Sequence, residues 1–314
     1  MSMGRQFIAG LWILAIAGLL LSSVASAVAQ EKEKPIPDPE DNISIDTDDG
    51  VILRVTFYPS NKGKDAVPIL IIHDYEESRK AYEGVALALQ KQGHAVLVPD
   101  LRGHGDSVSR RTGPDGRGRE RVDASRFRKQ DFEAMFVQDL RKMRTFLKER
   151  NNRGELNLNK LCVVGCGGMG TVLGMNWTAK DWSYPVLRTG KQGQDVHGLV
   201  LISPEWSFKG LGINLAMRSP AILKEVSTML VVGEKGSVAS GTERIYRTLL
   251  RFRPEPPPER AKDEKTLFYK KLDTKLQGTD LLTSRNYKVT AMIAQFVNLR
   301  LVNQEYQWTE RRSQ

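Results

Sequence analysis

The feature that most narrows how this chain can fold is a set of short runs that are apolar at consecutive positions. They read "VPILII", "AVLVPD", "KLCVVG", "VHGLVLI" and "TMLVVG". A strand with one wet face alternates in polarity, whereas a strand apolar throughout is covered on both faces. Segments with helical spacing lie between these runs. Tyr82, Val85, Ala86 and Leu89 form one stripe and Gly93 ends it; Phe132, Phe136, Leu140, Met143 and Leu147 form another. Further helices are predicted after "KLCVVG" to about Ala179, in "GTERIYRTLLRF", and from Val289 to Leu301. Such alternation predicts an α/β fold: a doubly wound, mostly parallel sheet with right-handed crossovers. At its start, "NISIDTDDGVILRVTFYP" alternates on both sides of Asp49-Gly50, which predicts an antiparallel N-terminal hairpin. The stretch between "LISP" and "STMLVVG" is too short for a large cap domain.

Residues 1–29 differ from the remainder. Arg5, the apolar run "FIAGLWILAIAGLLL" and the small-residue exit "SSVASAVAQ" make a secretory signal peptide, with cleavage after Ala27 or Ala29. The apolar run also approaches the length of an uncleaved membrane anchor. Either way the folded part is expected outside the cytoplasm, secreted or in the periplasm or cell envelope. Residues 30–41 read as a charged, proline-rich linker, 42–305 as the folded domain and 306–314 as a tail. Two cysteines, Cys162 and Cys166, share one predicted strand. Their Cα atoms would then be about 13 Å apart, too far for a disulfide, which needs under about 7 Å.

The net charge of +10 is concentrated between Arg102 and Lys129, which reads as a solvated basic loop. It could attract an acidic envelope polymer. No nucleic-acid motif accompanies it, and no nucleic-acid partner is expected.

"VVGCGGMG" carries the site question. Its last six residues, Gly165 to Gly170, satisfy G-x-G-x-x-G. A dinucleotide turn, however, follows the first strand of its unit and has an acid about 20 positions later. Here several strands come first, and Asp181 falls before the next strand rather than at its end. No cofactor and no metal are therefore expected.

Taken in order, "ILIIHDYEES", "GHAVLVPDLRGHGDS", "VVGCGGMG", "LVLISP", "TMLVVGEKG" and "LQGTDLL" resemble the successive segments of the α/β-hydrolase superfamily, in particular serine hydrolases of the lysophospholipase kind. The resemblance spans roughly Asn42 to Leu301. It implies that "VVGCGGMG" is the nucleophile elbow, that an acid follows a later strand, and that a histidine follows the last one.

Those positions depart from the family. With the nucleophile's place at Gly168, Cys166 and Gly170 are its small neighbours. With it at Gly167, bulky Met169 enters the tight spot. A third register makes Cys166 the nucleophile, flanked by Val164 and Gly168. The acid's place falls on Gly236, with Glu205 as the alternative acid. Gln277 stands where relatives carry the histidine, and an amide has no proton affinity near neutral pH. No histidine follows His197. His73 and His104 lie at strand ends on the site's side. The resemblance therefore points to an exported pseudoenzyme, with an ester or acyl hydrolase using Cys166 as the other reading. An elbow of glycines at a helix N-terminus leaves unpaired N–H groups suited to an anion. A small anionic or acyl-bearing ligand is expected there, against Gly167, Gly168, Met169, Gly170, His73 and Asp74.

Overall fold

A computed structural model describes residues 34–113, 115–188 and 190–311. The expected signal peptide and most of the linker lie outside the described residues, as do the last three residues of the tail.

Ten strands form the main sheet. They are β1 (Glu40–Asp46), β2 (Val51–Tyr58), β3 (Pro68–Ile72), β4 (Ala95–Asp100), β5 (Ser109–Thr112), β6 (Gly118–Arg121), β7 (Leu161–Cys166), β8 (Val196–Ile202), β9 (Ser227–Gly233) and β10 (Leu267–Leu272). Their order is β10-β9-β8-β7-β3-β4-β2-β5-β6, with β1 also paired to β2. The run from β10 to β4 is parallel. Pairs involving β1, β2, β5 and β6 are antiparallel.

The consecutive apolar runs supply two cores. Ile69 and Ile71 of β3 face one, Leu70 and Ile72 the other, since neighbouring strand side chains point to opposite faces. Helices α1 (Glu83–Gln90), α7 (Gly278–Thr283) and α8 (Val289–Val297) cover the first face. On the second lie α3 (Leu140–Asn152), α4 (Gly167–Trp182) and α5 (Ala239–Leu250). Two shorter helices complete the set, α2 (Lys129–Ala134), joined to α3 by a π-helical turn at Met135–Asp139, and α6 (Ala261–Glu264). The sequence between β8 and β9 makes only a two-stranded ribbon, Ser207–Phe208 with Leu211–Gly212, and short turns. Cys162 and Cys166 are both buried and unbridged.

Two regions are more ordered than their sequence suggests. The expected solvated loop from Arg102 to Lys129 contains the β5–β6 hairpin, which extends the sheet along β2. Arg102 is 2% exposed and pairs with Asp139 and Asp49. Residues 306–311 are not a loose end. They lie against the segment from Asn151 to Asn159, whose asparagine amides donate to the backbone carbonyls of Tyr306, Gln307, Thr309 and Arg311.

Candidate functional site

At the carboxyl edge of the sheet β7 ends at Cys166 and α4 begins at Gly167, whose φ is +64°. An L side chain resists that conformation, and glycine does not. Gly165 and Gly170 are the points of close approach. A Cβ on Gly165 would lie 2.5 Å from Gly170 O, and one on Gly170 would lie 2.5 Å from Ile72 O. Met169, 1% exposed, turns its side chain into the core. The apex of the turn is therefore Gly167 and not the expected Gly168. The methionine that counted against this register sits on the core side and crowds nothing in the site.

The space above Gly167 is filled. A Cβ there would fall inside the Asp74 carboxylate, which comes from the loop after β3. Asp74 Oδ1 accepts hydrogen bonds from Tyr75 N at 2.8 Å and from Met169 N, in the first turn of α4, at 3.2 Å. The chain's own carboxylate thus takes the helix N-terminus that the sequence suggested for an external anion. Gly278, at φ +50°, keeps the other side open: a Cβ there would stand 3.1 Å from Asp74 Oδ2. Tyr82 Oη accepts from Asp74 N at 3.1 Å and is 2.7 Å from Thr279 Oγ1.

Burial pushes Asp74 up to about 6, helped by the charges of Glu205 and Glu77 and opposed by its two backbone donors. A carboxyl whose folded value lies above 3.8 takes up a proton on folding between the two values. Its contribution to stability is therefore lost as pH rises from about 4 to about 6. Asp74→Asn cannot ionise and escapes that loss. Urea unfolding at both ends of this window is expected to show the variant gaining on the wild type by up to about 3 kcal/mol.

The positions at which the resemblance places the acid and the histidine, Gly236 and Gln277, lie against each other. A Cβ on Gly236 would overlap the Gln277 amide, so the missing acid side chain makes room for the residue in the histidine's place. Gln277 Nε2 donates to Gly233 O at 3.0 Å, and its Oε1 is buried without a partner. Glu205 reaches the site: its Oε1 would be 2.6 Å from a Cβ on Gly168, and burial raises its carboxyl.

A cavity of about 190 Å³ joins these groups. It is lined by Asp74, Glu77, Glu205 and Asp280, with Gly167, Gly168, Gly278, Gln277 and Ser203 among the rest. Ser203 Oγ accepts from Gly278 N at 2.9 Å. No histidine or cysteine lines it. Of the six expected ligand contacts, Gly167, Gly168 and Asp74 reach the cavity, whereas His73, Met169 and Gly170 do not. His73 is fully buried; its Nδ1 donates to Asp74 O at 2.7 Å and its Nε2 accepts from Leu101 N at 3.0 Å. Burial, with His104 beside it, pushes His73 down to about 3. It orients the loop that delivers Asp74 and is uncharged near neutrality. Cys166 is also fully buried, and burial pushes its thiol up to about 12. A thiol held protonated behind the cavity wall is not an activated nucleophile.

Sequence reasoning placed Asp74 near the elbow but missed that its carboxylate fills the space above Gly167. It also missed Gly278, Thr279 and Tyr82. The available signal was a pairing of absences: glycine at both Gly167 and Gly278, with an acid at the end of β3. Among the described residues, no group of three His, Cys, Asp or Glu is placed to hold a metal ion.

The family model described as serine aminopeptidase, S33, matches residues 64–244, more than half of the chain. The chain belongs to this family. Solved structures of several hydrolases share the fold of this S33 member. An esterase from Pyrococcus furiosus is similar at a TM-score of 0.59 and 14% identity, over 84% of this chain and 91% of that one. A dienelactone hydrolase from Anabaena variabilis gives 0.53 and 15%, over 85% and 97%. The thioesterase domain from the curacin biosynthetic pathway gives 0.52 and 12%, over 83% and 99%. Identities this low establish the fold that the S33 member shares with these proteins and nothing finer. No curated protein matches the sequence.

Proposed function

We propose that this α/β-hydrolase-fold protein is a non-hydrolytic member of its family, exported through residues 1–29. In this reading it binds an anionic or acyl-bearing ligand, or an envelope partner, without cleaving it. The observation that carries the reading is the Asp74 carboxylate lying where a nucleophile's side chain would start. Neither of the steps that define acyl transfer, attack by an activated nucleophile and proton relay by a base, has its usual group here. The β5–β6 hairpin, which exposes Arg117, Arg119 and Arg121, is the surface proposed for an acidic envelope polymer.

The test uses purified full-length chain. Turnover of p-nitrophenyl acetate and butyrate is expected to equal buffer. A fluorophosphonate probe is expected to leave no label, and a thiol reagent to label the chain only after unfolding. Turnover that a single substitution abolishes would reverse the proposal. N-terminal sequencing of exported material is expected to start at Val28 or Gln30; an intact Met1 would remove the cleavage.

One other reading has a specific observation behind it. Asp74 titrates near 6 beside Glu205, whose carboxyl is also raised, so the pair could hold and deprotonate a water. That reading requires turnover that rises through about pH 6 and disappears in Asp74→Asn while persisting in Cys166→Ala.

A further inference from the structure

A second cavity, of about 540 Å³, lies between α1 and the start of α8, with the end of α7 beside it. Its size is that of a small-molecule site, typically about 300–1,000 Å³. One wall is a stripe of small residues, Ala81, Gly84 and Ala88, at i, i+3 and i+7, with Val85 beneath. This stripe is about 10 Å long at the helical rise of about 1.5 Å per residue. The other wall is the start of α8, with Thr290 and Ala291.

One end of the groove differs chemically. Arg285 and Lys288 line it, and neither side chain makes an ion pair or hydrogen bond among the described residues. Ser284 and Thr290 bring hydroxyls. The α8 helix opens there with no side-chain cap, its N-cap Lys288 held at φ +51°. Two unpaired cations and an uncapped helix start favour negative charge in the same place.

We propose that this groove binds a single-chain anionic amphiphile, its alkyl chain along Ala81, Gly84 and Ala88 and its oxyanion head against Arg285, Lys288 and the α8 N-terminus. Charge complementarity selects this occupant: an apolar floor accepts any alkyl chain, but two unpaired cations reject a cationic head. The groove's lining shares no residue with that of the elbow cavity, so the proposal stands whether or not the elbow cavity hydrolyses esters. It also gives the anionic acyl ligand a place that Asp74 does not already occupy.

The experiment is calorimetric titration of the full chain with decanoate and with decyl phosphate, neither of which carries a carboxylic ester. Decyltrimethylammonium and inorganic phosphate serve as controls. Saturable one-to-one binding is expected for at least one anionic amphiphile, and none for the controls. Binding of decanoate alone assigns a carboxylate head, and of decyl phosphate alone a phosphate head. The double variant Arg285→Glu/Lys288→Glu is expected to bind about tenfold more weakly or worse, having lost its charge-assisted contacts. Gly84→Leu is expected to abolish binding. A Cβ on Gly84 meets no atom within 4 Å, so the leucine enters the groove without striking the fold. Ala291→Leu fills the groove from the other wall and stands in should Gly84→Leu lower expression. The proposal is overturned by absence of saturable binding, by equal binding of the cationic amphiphile, or by binding that survives both groove-filling variants.

Discussion

Gly167→Ser, the substitution that would write a nucleophile back into the elbow, is expected to yield a badly destabilised protein and no esterase. Two costs combine at this position. Serine must adopt a φ of +64°, which costs about 1–3 kcal/mol for a residue with a side chain. Its Cβ must also enter the volume of the Asp74 carboxylate. Asp74 cannot simply swing aside, because its Oδ1 is tied to Tyr75 N and Met169 N and its backbone N–H to Tyr82 Oη. Expelling it leaves a carboxylate in search of partners at the sheet edge, beside Glu205 and Glu77. A total loss of about 4 kcal/mol or more is expected, a large part of an ordinary domain's stability. The decisive comparison is the cycle with Asp74→Gly. If the two side chains compete for one volume, the double variant recovers most of the loss, and their coupling exceeds about 2 kcal/mol by urea unfolding. Additive losses would mean that the carboxylate is not where the structure places it. On the proposed non-hydrolytic reading even the recovered double variant stays inert, since Gln277 stands where that reading looks for the base.

The parallel sheet and its two cores were legible because consecutive apolar runs admit few alternatives. Ile69 to Ile72 must be covered twice, and the helical stripes after β3, β4 and β7 supply the cover. The antiparallel start was legible from Asp49-Gly50. The elbow register was not. In "GCGGMG" each glycine tolerates a positive φ, so only the packing of Gly165 and Gly170 against their neighbours selects Gly167 as the apex. Asp74 was legible as a neighbour but not as an occupant, since a carboxylate from one loop filling the gap left by another is a tertiary fact without local pattern. The hairpin of β5 and β6 escaped notice because its strands, "SRRT" and "GRER", show no apolar alternation. Its order comes from pairing with β2. The C-terminal segment has the same character: it is held by polar groups, which leave no hydrophobic period to read.

That segment supports the other large expected effect, loss of about 3 kcal/mol on Arg311→Ala, the usual scale for removing one partner of a buried pair. The Arg311 side chain is 3% exposed, and its Nη2 is 2.6 Å from Asp195 Oδ1. Asp195 also pairs with Arg144 Nη2, at 2.6 Å, and packs against Asp181. Two buried carboxylates are thus held by Arg144, Arg311 and, at 3.9 Å, Lys191. Burial and the Asp195 charge already hold Asp181 well above the usual carboxylate range. Removing Arg311 takes a positive charge from beside Asp181 and makes its ionised form costlier still. A carboxylate with an elevated folded value loses stability as pH rises, so the deficit of Arg311→Ala should be larger at about pH 8 than at about pH 5. Arg311→Met keeps much of the packing of the stem and removes the charge; if it matches alanine, the ion pair and not the buried methylenes is responsible. Limited proteolysis gives a second readout. Without the Arg311 ion pair, this end of the chain relies on single hydrogen bonds from the amides of Asn151, Asn152 and Asn159 to the carbonyls of Thr309, Arg311 and Gln307, so the tail should open locally and be clipped before the sheet unfolds. A variant that loses stability with no change in clipping and no dependence on pH would show that the charge cluster does not latch this end of the chain.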